Sequence, residues 1–318
     1  MGEDIYGDFS AFYDLYVGDK LDDLPLYLDY ATKTEGPLLE VGAGSGRLTI
    51  PLARAGYELV AVDVSPSMLA LLRAKLAREP EEVQKRISIL EADVCRLALG
   101  RSFGLVFLPF YTFNYLLTPA AQEAALRNLR GHLSAAGRLL IDVFVPRRLL
   151  AECPSTPILR REAVDPETGR RVRCLVGYCF DRGRQLEFRR HIFEIAREDG
   201  SLVRREFETT RRYFFPAELE ELFHAHGLAV EAVFGGYGKE PARADSEQLF
   251  YVLRRAKGKR EKGKGKGERQ KGKGERRKKK GNLGRGFLSF AGSMRSIRRN
   301  GRWPGTGPDC RGRANLVN

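Results

Sequence analysis

The chain has 318 residues and a net charge of +14, but the excess positive charge lies at one end. Residues 256–318 contain 21 Lys and Arg against four acidic residues, which leaves residues 1–255 with a net charge of −3. A nearly neutral body argues against the basic surface that is typical of nucleic-acid-binding and anionic-membrane-binding proteins.

The N-terminal segment is acidic and has no secretory signal pattern. No apolar run reaches the ~18 residues of a membrane span. The five cysteines form no C-x-x-C pair, so neither a zinc site nor a disulfide framework is indicated. These features predict a cytoplasmic protein with reduced thiols, no bound metal and no membrane partner.

Predicted elements alternate along the first part of the chain. Two short helices rich in Tyr and Leu are predicted over residues 8–34. Strands are predicted at 37–41, 58–63, 86–91, 103–108 and 138–145, and helices at 47–55, 65–78 and 118–133. Strands that alternate with helices of this length predict a mostly parallel α/β sheet covered on both faces.

The pattern then changes to a meander of three strands, 171–181, 185–197 and 201–215. A helix at 217–226 and strands at 228–237 and 248–254 follow. The meander is thus predicted to be an antiparallel β lid, inserted at about 155–215 into a single domain of residues 1–255.

Residues 256–318 are predicted to be a Lys/Gly/Arg-rich, low-complexity tail. The unit KGKGER occurs twice within it, at 264–269 and 271–276. Such a segment buries too little apolar area to offset the entropy of ordering, which predicts disorder. It is interpreted either as a polybasic arm for RNA, DNA or anionic lipid or, as we favour, as an appendage without a catalytic role.

A glycine-rich turn stands where the first predicted strand meets the first following helix. Gly42, Gly44 and Gly46 have the spacing G-x-G-x-G. A dinucleotide-binding loop would have a small residue at the position of Arg47, and a phosphate-binding P-loop needs a different spacing. The turn therefore predicts a ligand of another class, or a tight turn with no ligand.

Three acidic residues indicate which class of ligand this turn binds. Glu40 precedes the turn and suits an ammonium group, Asp63 ends the second strand and suits ribose hydroxyls, and Asp93 follows the third strand and suits an adenine amino group. The alternatives are that Asp63 caps a helix and that Asp93 is a solvated loop acid. Ammonium, ribose and adenine in this order predict S-adenosylmethionine as the cofactor.

Three motifs in this region resemble the successive cofactor motifs of class I S-adenosylmethionine-dependent methyltransferases. They are EVGAGSGR at 40–47, VDVSPSML at 62–69 and EADV at 91–94. The resemblance spans roughly residues 6–255 and implies a Rossmann-like, seven-stranded sheet with an antiparallel last strand at 248–254. It also implies the cofactor-binding residues Glu40, Gly42, Gly44, Gly46, Asp63, Met68, Asp93 and Val94.

A second resemblance concerns the acceptor. The segment Tyr13–Asp14–Leu15–Tyr16 and the meander before Phe214–Phe215–Pro216 are similar to a subgroup that acts on small molecules. That subgroup includes N-methyltransferases of amino sugars and of glycine. Leu108 stands where methyltransferases of adenine N6 and of glutamine carry Asn or Asp, which argues against those two acceptors.

Methyl transfer from a sulfonium needs positioning of the nucleophile more than a general base or a metal. The candidate catalytic residues are Tyr13, Asn114 and His191, with Tyr16 and Tyr213 as further substrate contacts. The alternative for the two helical tyrosines is packing against the sheet. The alternative for His191, which we favour, is a place on the lid surface instead of a role as base.

The predicted lid is rich in arginine. Strand alternation sends about half of these side chains to solvent, and the remainder can face a cleft and meet an anionic substrate. We favour a solvated face for the set, which comprises Arg171, Arg173, Arg184, Arg189, Arg190, Arg204, Arg205, Arg211 and Arg212.

Three functions are consistent with the sequence. The first is methyl transfer to an N or O nucleophile of a small molecule by a monomer or homodimer. The second is methyl transfer to RNA or protein by an enzyme that uses the basic tail. Nucleic acid would bind only through this tail. The third is a non-catalytic module that binds S-adenosylmethionine.

Overall fold

The computed structural model describes residues 4, 6–152, 154 and 156–257, so nearly all of the predicted tail lies outside the described residues. Short 3₁₀ helices span Gly7–Phe9, Val94–Arg96 and Thr112–Tyr115. The α-helices are α1 (Ser10–Val17), α2 (Leu24–Thr32), α3 (Thr49–Arg54), α4 (Pro66–Leu76), α5 (Glu81–Gln84), α6 (Pro119–His132), α7 (Arg147–Glu152) and α8 (Pro216–Ala225). The strands are β1 (Leu38–Val41), β2 (Leu59–Asp63), β3 (Ile87–Glu91), β4 (Phe103–Leu108), β5 (Leu133–Phe144), β6 (Ile158–Val164), β7 (Arg171–Asp181), β8 (Leu186–Ala196), β9 (Leu202–Arg212), β10 (Leu228–Phe234) and β11 (Gln248–Arg255).

Seven strands form one sheet in the order β10-β11-β5-β4-β1-β2-β3. Strands β1 to β5 pair in parallel, and β11 is antiparallel to both β5 and β10. The prediction of a Rossmann-like, seven-stranded sheet with an antiparallel last strand is confirmed. Because β1 leads towards β2 on one side and pairs with β4 on the other, the ligand-binding switch point lies at the carboxyl end of β1.

Strand alternation divides the core between the two faces of this sheet. Leu39 of β1 packs in a cluster with residues of α6 and α8. Leu38, the preceding residue, packs in a second cluster with residues of α2, α3 and α4. Both leucines are fully buried, as expected for a parallel sheet with helices on each face.

Two helices begin where the sequence predicts them, at a hydroxyl residue followed by proline. The Ser65 side chain accepts a hydrogen bond from the backbone N–H of Met68 at 3.2 Å, and Thr118 accepts one from Ala121 at 3.2 Å. Each hydroxyl satisfies an N–H that the first helical turn leaves without a partner. These caps fix the starts of α4 and α6 beside the sheet edge.

The lid is a separate antiparallel sheet in the order β6-β7-β8-β9. It confirms the inserted antiparallel lid, but with four strands where the sequence analysis identifies three. The additional strand is β6, an edge strand that is largely exposed. Three consecutive charged residues, Arg160, Arg161 and Glu162, interrupt its alternation, so the sequence pattern does not reveal it.

The lid packs against the N-terminal helices. Phe9 contacts Phe193 of β8 and Phe207 of β9, with ring centroids 5.9 and 5.5 Å apart. Buried Cys174 of β7 belongs to the same apolar cluster. This cluster holds the lid beside the switch point of the large sheet. Across the described part of the chain, no helix has the length and hydropathy needed to cross a membrane.

Candidate active site

The loop between β1 and α3 turns through three left-handed glycines. Gly42, Gly44 and Gly46 have φ angles of 80°, 57° and 87°, which L side chains rarely adopt. A Cβ atom on Gly42 would lie 2.3 Å from Oγ1 of Thr112, and one on Gly46 would lie 2.3 Å from Cδ1 of Leu72. Conformation and space therefore both require glycine in this loop.

Asp63, at the end of β2, is hydrogen-bonded to the glycine loop. Its Oδ2 accepts from the N–H of Gly44 at 2.8 Å, and its Oδ1 accepts from the N–H of Ser65 at 2.9 Å. Burial raises the pKa of this carboxyl group, although the two N–H donors oppose the shift. The structure thus places the predicted ribose-binding carboxylate beside the loop and at the start of α4.

Glu40 lies beneath the same loop and is 1% exposed. Its Oε2 accepts a hydrogen bond from Oγ1 of Thr49, the first residue of α3, at 2.6 Å. Burial raises the pKa of Glu40 to about 8, so the carboxyl group favours its neutral form below that pH. Its predicted contact with an ammonium group stays a prediction.

The other predicted cofactor residues are close to the loop or to its neighbouring strand. Met68 is buried, and its Cε lies 3.3 Å from the place that a Cβ atom on Gly44 would take. The exposed Asp93 accepts a hydrogen bond from the N–H of Cys95 at 2.8 Å, and Val94 is buried against the core. Met68 is therefore the one of these three that packs beside the loop.

A cavity of about 530 Å³ lies between this edge of the sheet, α1 and the lid. Six tyrosines are among its lining residues: Tyr6, Tyr13, Tyr16, Tyr111, Tyr115 and Tyr178. The rings of Tyr13 and Tyr6 meet edge to face, with centroids 5.7 Å apart. Burial raises the pKa of Tyr13, so its hydroxyl group stays protonated and acts as a hydrogen-bond donor.

His191 of β8 lines the cavity and is 2% exposed, so its favoured assignment to the lid surface is wrong. Its Nε2 lies 3.0 Å from Oγ1 of Thr209, and its ring stands 4.6 Å from that of Phe9. Burial, followed by the charges of Arg189 and Arg211, lowers the pKa of His191 well below its usual value. The imidazole is therefore neutral and a weak proton acceptor.

Two lid arginines are also buried along the cavity, which corrects the expectation of a solvated face for them. Arg211 of β9 pairs with Glu187, with Nη2 2.6 Å from Oε2, and its guanidinium lies 4.5 Å from the centre of the Phe144 ring. Arg189 of β8 donates from Nη2 to the Tyr16 hydroxyl at 2.6 Å.

Two sequence candidates do not line the cavity. The buried Asn114 donates from Nδ2 to the carbonyl of Arg212 at 2.7 Å and accepts at Oδ1 from the N–H of Phe144 at 3.2 Å. It thereby joins β9 to β5. Tyr213 is buried next to this junction, and its backbone N–H donates to the carbonyl of Gln185 at 3.0 Å. Asn114 therefore holds the lid to the sheet, whereas the Tyr213 bond lies at the end of the lid itself.

Sequence reasoning missed a strained pair after β4. Phe110 and Tyr111 have φ angles of 54° and 67°, which is uncommon for residues other than glycine. The buried Asp142 accepts from the N–H of Tyr111 at 2.9 Å and from the hydroxyl of Tyr237 at 3.1 Å, and burial raises its pKa to about 7. An acid within the apolar run of β5 was the available signal. Both Phe110 and Tyr111 line the cavity.

The described residues contain no group of three or more His, Cys, Asp and Glu placed to hold a metal ion. Cys95, Cys174 and Cys179 form no disulfide bond with one another or with another described residue. Burial raises the pKa of Cys95 and Cys174 to about 11, which keeps both thiols protonated. Cys153 and Cys310 lie outside the described residues.

Comparison with known proteins agrees with this arrangement. Residues 38–137 match the family profile described as "Methyltransferase domain". The cypemycin N-terminal methyltransferase of a Streptomyces species is 29% identical over 219 residues, which are 69% of this chain and 82% of that protein.

Two solved structures extend the comparison. The CcbJ methyltransferase of Streptomyces caelestis superposes with a TM-score of 0.67 and 26% identity, covering 81% of this chain and all of that one. The glycopeptide N-methyltransferase MtfA with bound S-adenosyl-L-homocysteine has a TM-score of 0.51 and 26% identity, covering 73% of this chain and 86% of that one. The similarity therefore spans both the large sheet and the lid.

Proposed function

Because the chain contains a class I, S-adenosylmethionine-dependent methyltransferase domain, we propose that it methylates a nitrogen or oxygen of a small molecule. Of these two, we propose that the acceptor atom is an amine nitrogen. The observation that carries the proposal is the tyrosine-lined cavity beside the glycine loop. Its volume of about 530 Å³ is in the range of pockets for small molecules. The lid and α1 cover it, which favours a small acceptor over a folded macromolecule.

The residues at the sheet edge suit the cofactor. The left-handed glycines let the backbone approach a ligand closely, and the carboxylate of Asp63 can accept hydrogen bonds from ribose hydroxyls. Met68 adds an apolar surface next to the loop. S-adenosylmethionine supplies a methyl group that its sulfonium already activates for displacement.

The choice of nitrogen follows from the weakness of the available bases. His191 has a lowered pKa and Tyr13 a raised one, so neither readily takes a proton from an acceptor hydroxyl. A neutral amine needs no deprotonation before it attacks. The surrounding tyrosine rings also favour the cation that forms on the acceptor. The similarity to the glycopeptide N-methyltransferase MtfA supports the same choice.

In this proposal Tyr13 and His191 position the acceptor. The Tyr13 hydroxyl is a donor in the cavity wall, and the His191 ring supports Phe9 and Tyr16, which stand 4.6 and 5.0 Å from it. Catalysis then rests mainly on holding the amine in line with the methyl group and on excluding water.

The test uses the full chain, methyl-labelled S-adenosylmethionine and a cell extract separated into metabolites, RNA and protein. We expect label in an amine of the metabolite fraction, and loss of that label with Asp63→Ala. The exposed Asp245→Ala variant is the matched control and should retain it. Label in RNA or in protein instead would contradict a small-molecule acceptor, and label on an oxygen would contradict an amine.

A further inference from the structure

The cavity wall contains one buried arginine that no acidic side chain neutralises. Arg189 is 8% exposed and lines the cavity. Within the described part of the chain, no carboxylate lies within 4.0 Å of its guanidinium, and its buried Nε has no hydrogen-bond partner. Because arginine stays charged in proteins, this wall holds an unbalanced positive charge.

On the neighbouring strand, β9, a second buried arginine is neutralised by an ion pair. Arg211 of β9 is 5% exposed, and both its Nε and its Nη2 reach Oε2 of Glu187, at 2.7 and 2.6 Å. Glu187 lies two residues before Arg189 on the same face of β8, but it pairs with Arg211. The inner face of the lid thus buries two guanidinium groups and one carboxylate, and that carboxylate binds Arg211 only.

The acidic side chains elsewhere in the cavity wall are also engaged. Glu152 pairs with Arg148 at 2.8 Å, and Oε1 of Glu247 accepts from the backbone N–H of Arg148 at 3.2 Å. In the described part of the chain, neither Glu152 nor Glu247 lies within ion-pair distance of Arg189. The charge that Arg189 presents therefore remains available to a molecule in the cavity.

The surroundings of Arg189 orient it as a binding group. Tyr16 accepts a hydrogen bond from Nη2 at 2.6 Å, which leaves the proton of its own hydroxyl group free to donate. The guanidinium also lies 5.6 Å from the centre of the Tyr178 ring. The guanidinium is held between two tyrosines. It presents a positive charge to the cavity, and the Tyr16 hydroxyl presents a hydrogen-bond donor beside it.

We propose that the acceptor carries an oxyanion, a carboxylate or a phosphate, that binds the Arg189 guanidinium and the Tyr16 hydroxyl. A buried charge without a partner is costly, and an oxyanion would supply the missing partner in the manner of charge-assisted hydrogen bonds. This inference rests on the proposed function, since it describes the molecule that fills the methyltransferase cavity. The acceptor is thus an amine that also bears an acidic group.

The test measures binding without methyl transfer. Benzoate, phenyl phosphate and the neutral benzyl alcohol are titrated into the full chain with S-adenosyl-L-homocysteine present, and dissociation constants are read by NMR. We expect benzoate, phenyl phosphate or both to bind at least tenfold more tightly than benzyl alcohol. The preferred anion then distinguishes a carboxylate from a phosphate.

Two variants locate the site. Arg189→Gln should remove the preference for the anion and leave binding of S-adenosyl-L-homocysteine unchanged. The matched control is Arg204→Gln, at an exposed lid arginine. Circular dichroism checks that both variants fold, and Arg189→Lys, which keeps the charge, should retain part of the preference. No preference among the three probes, or a preference that survives Arg189→Gln, overturns the inference.

The two proposals fail separately. Anion binding that depends on Arg189, without label transfer to any metabolite, would contradict the proposed function alone. Label transfer to a metabolite that bears no acidic group would contradict the oxyanion site alone.

Discussion

The carboxyl edge of the large sheet and the inner face of the lid bury ionisable groups of opposite kinds. At the sheet edge, Glu40, Asp63 and Asp142 are buried and accept hydrogen bonds from hydroxyl and backbone N–H groups. On the lid, Arg189 and Arg211 are buried against aromatic rings and line the cavity. We refer to the three carboxyl groups as the acidic wall and to the two arginines as the basic wall.

This difference indicates how neighbouring parts of the site can receive two unlike molecules. A cofactor with ribose hydroxyls and an ammonium group offers hydrogen-bond donors, for which the carboxyl groups of the sheet edge are acceptors. An acceptor with an oxyanion carries negative charge, which the lid attracts. Hydrogen bonds on one side and charge on the other would orient the two molecules before any contact at the reacting atoms.

The largest effect is expected on the basic wall. Glu187→Gln leaves Arg211 buried without a carboxylate and should lower the free energy of unfolding by about 3–5 kcal/mol in urea denaturation. The exposed Glu198→Gln variant is the control. Adding Arg211→Met to Glu187→Gln should restore most of the loss. A single variant as stable as the control would mean that the pair does not stabilise the lid.

A slightly smaller effect is expected on the acidic wall, as a pH dependence. The pKa of Glu40 rises from 4.5 to about 8 on folding, so the folded protein binds a proton that the unfolded chain releases. The contribution of Glu40 to the free energy of unfolding is therefore fully present below about pH 4.5 and is lost as the pH rises through about 8. Between pH 5 and pH 8 the loss should be about 3 kcal/mol.

Glu40→Gln checks this dependence because the amide can still accept from Thr49 but does not titrate. Urea denaturation at the two pH values should show a smaller change in the variant than in the parent protein. An equal change in both proteins would assign the dependence to another group, of which Asp142, with a pKa of about 7, is the first to test.

The next effect concerns cofactor binding at the acidic wall. Asp63→Ala removes the proposed acceptor for two ribose hydroxyls and should weaken S-adenosylmethionine binding about 100-fold, as two hydrogen bonds to a charged group imply. Isothermal titration calorimetry measures this, with Asp245→Ala as the exposed control. An unchanged dissociation constant would remove Asp63 from the cofactor site.

The smallest effect is expected at Tyr13, which belongs to neither wall and lines the cavity from α1. Tyr13→Phe removes one hydroxyl donor and should lower turnover about tenfold, in proportion to a single hydrogen bond, while cofactor affinity is unchanged. Steady-state kinetics and calorimetry separate the two, and Tyr57→Phe, away from the cavity, is the control. Unchanged turnover would leave Tyr13 with a packing role only.

The sequence predicted the acidic wall better than the basic one. Gly44 and Asp63 stand at the ends of consecutive parallel strands, and such ends meet at one edge of a sheet. Their contact at 2.8 Å therefore follows from strand order. The class of cofactor follows in the same way, because each acidic residue can be placed without knowledge of the lid.

The lid resists this reasoning because its pattern does not reveal which face is buried. The inner face of β8 carries Glu187, Arg189 and His191 together with Phe193, and the other face carries Phe188 and Ile192 together with Arg190 and Glu194. Both faces mix apolar and charged residues, so polarity alone does not orient this strand. The buried charges are explained by the cavity and the Arg211 pair, which exist only in the assembled fold. For the same reason the sequence places Asn114 near the substrate, whereas its amide binds backbone atoms of two strands.

The lid is one continuous insertion in the chain. Strands β6 to β9 occupy residues 158–212, between β5 and α8, whereas the glycine loop and Asp63 lie more than 90 residues earlier. Substitutions within this single stretch can alter the acceptor without touching the residues that hold the cofactor. Acceptor binding and cofactor binding can therefore change separately in evolution and in engineering. Exchange of residues 158–212 between relatives should transfer acceptor preference as a unit.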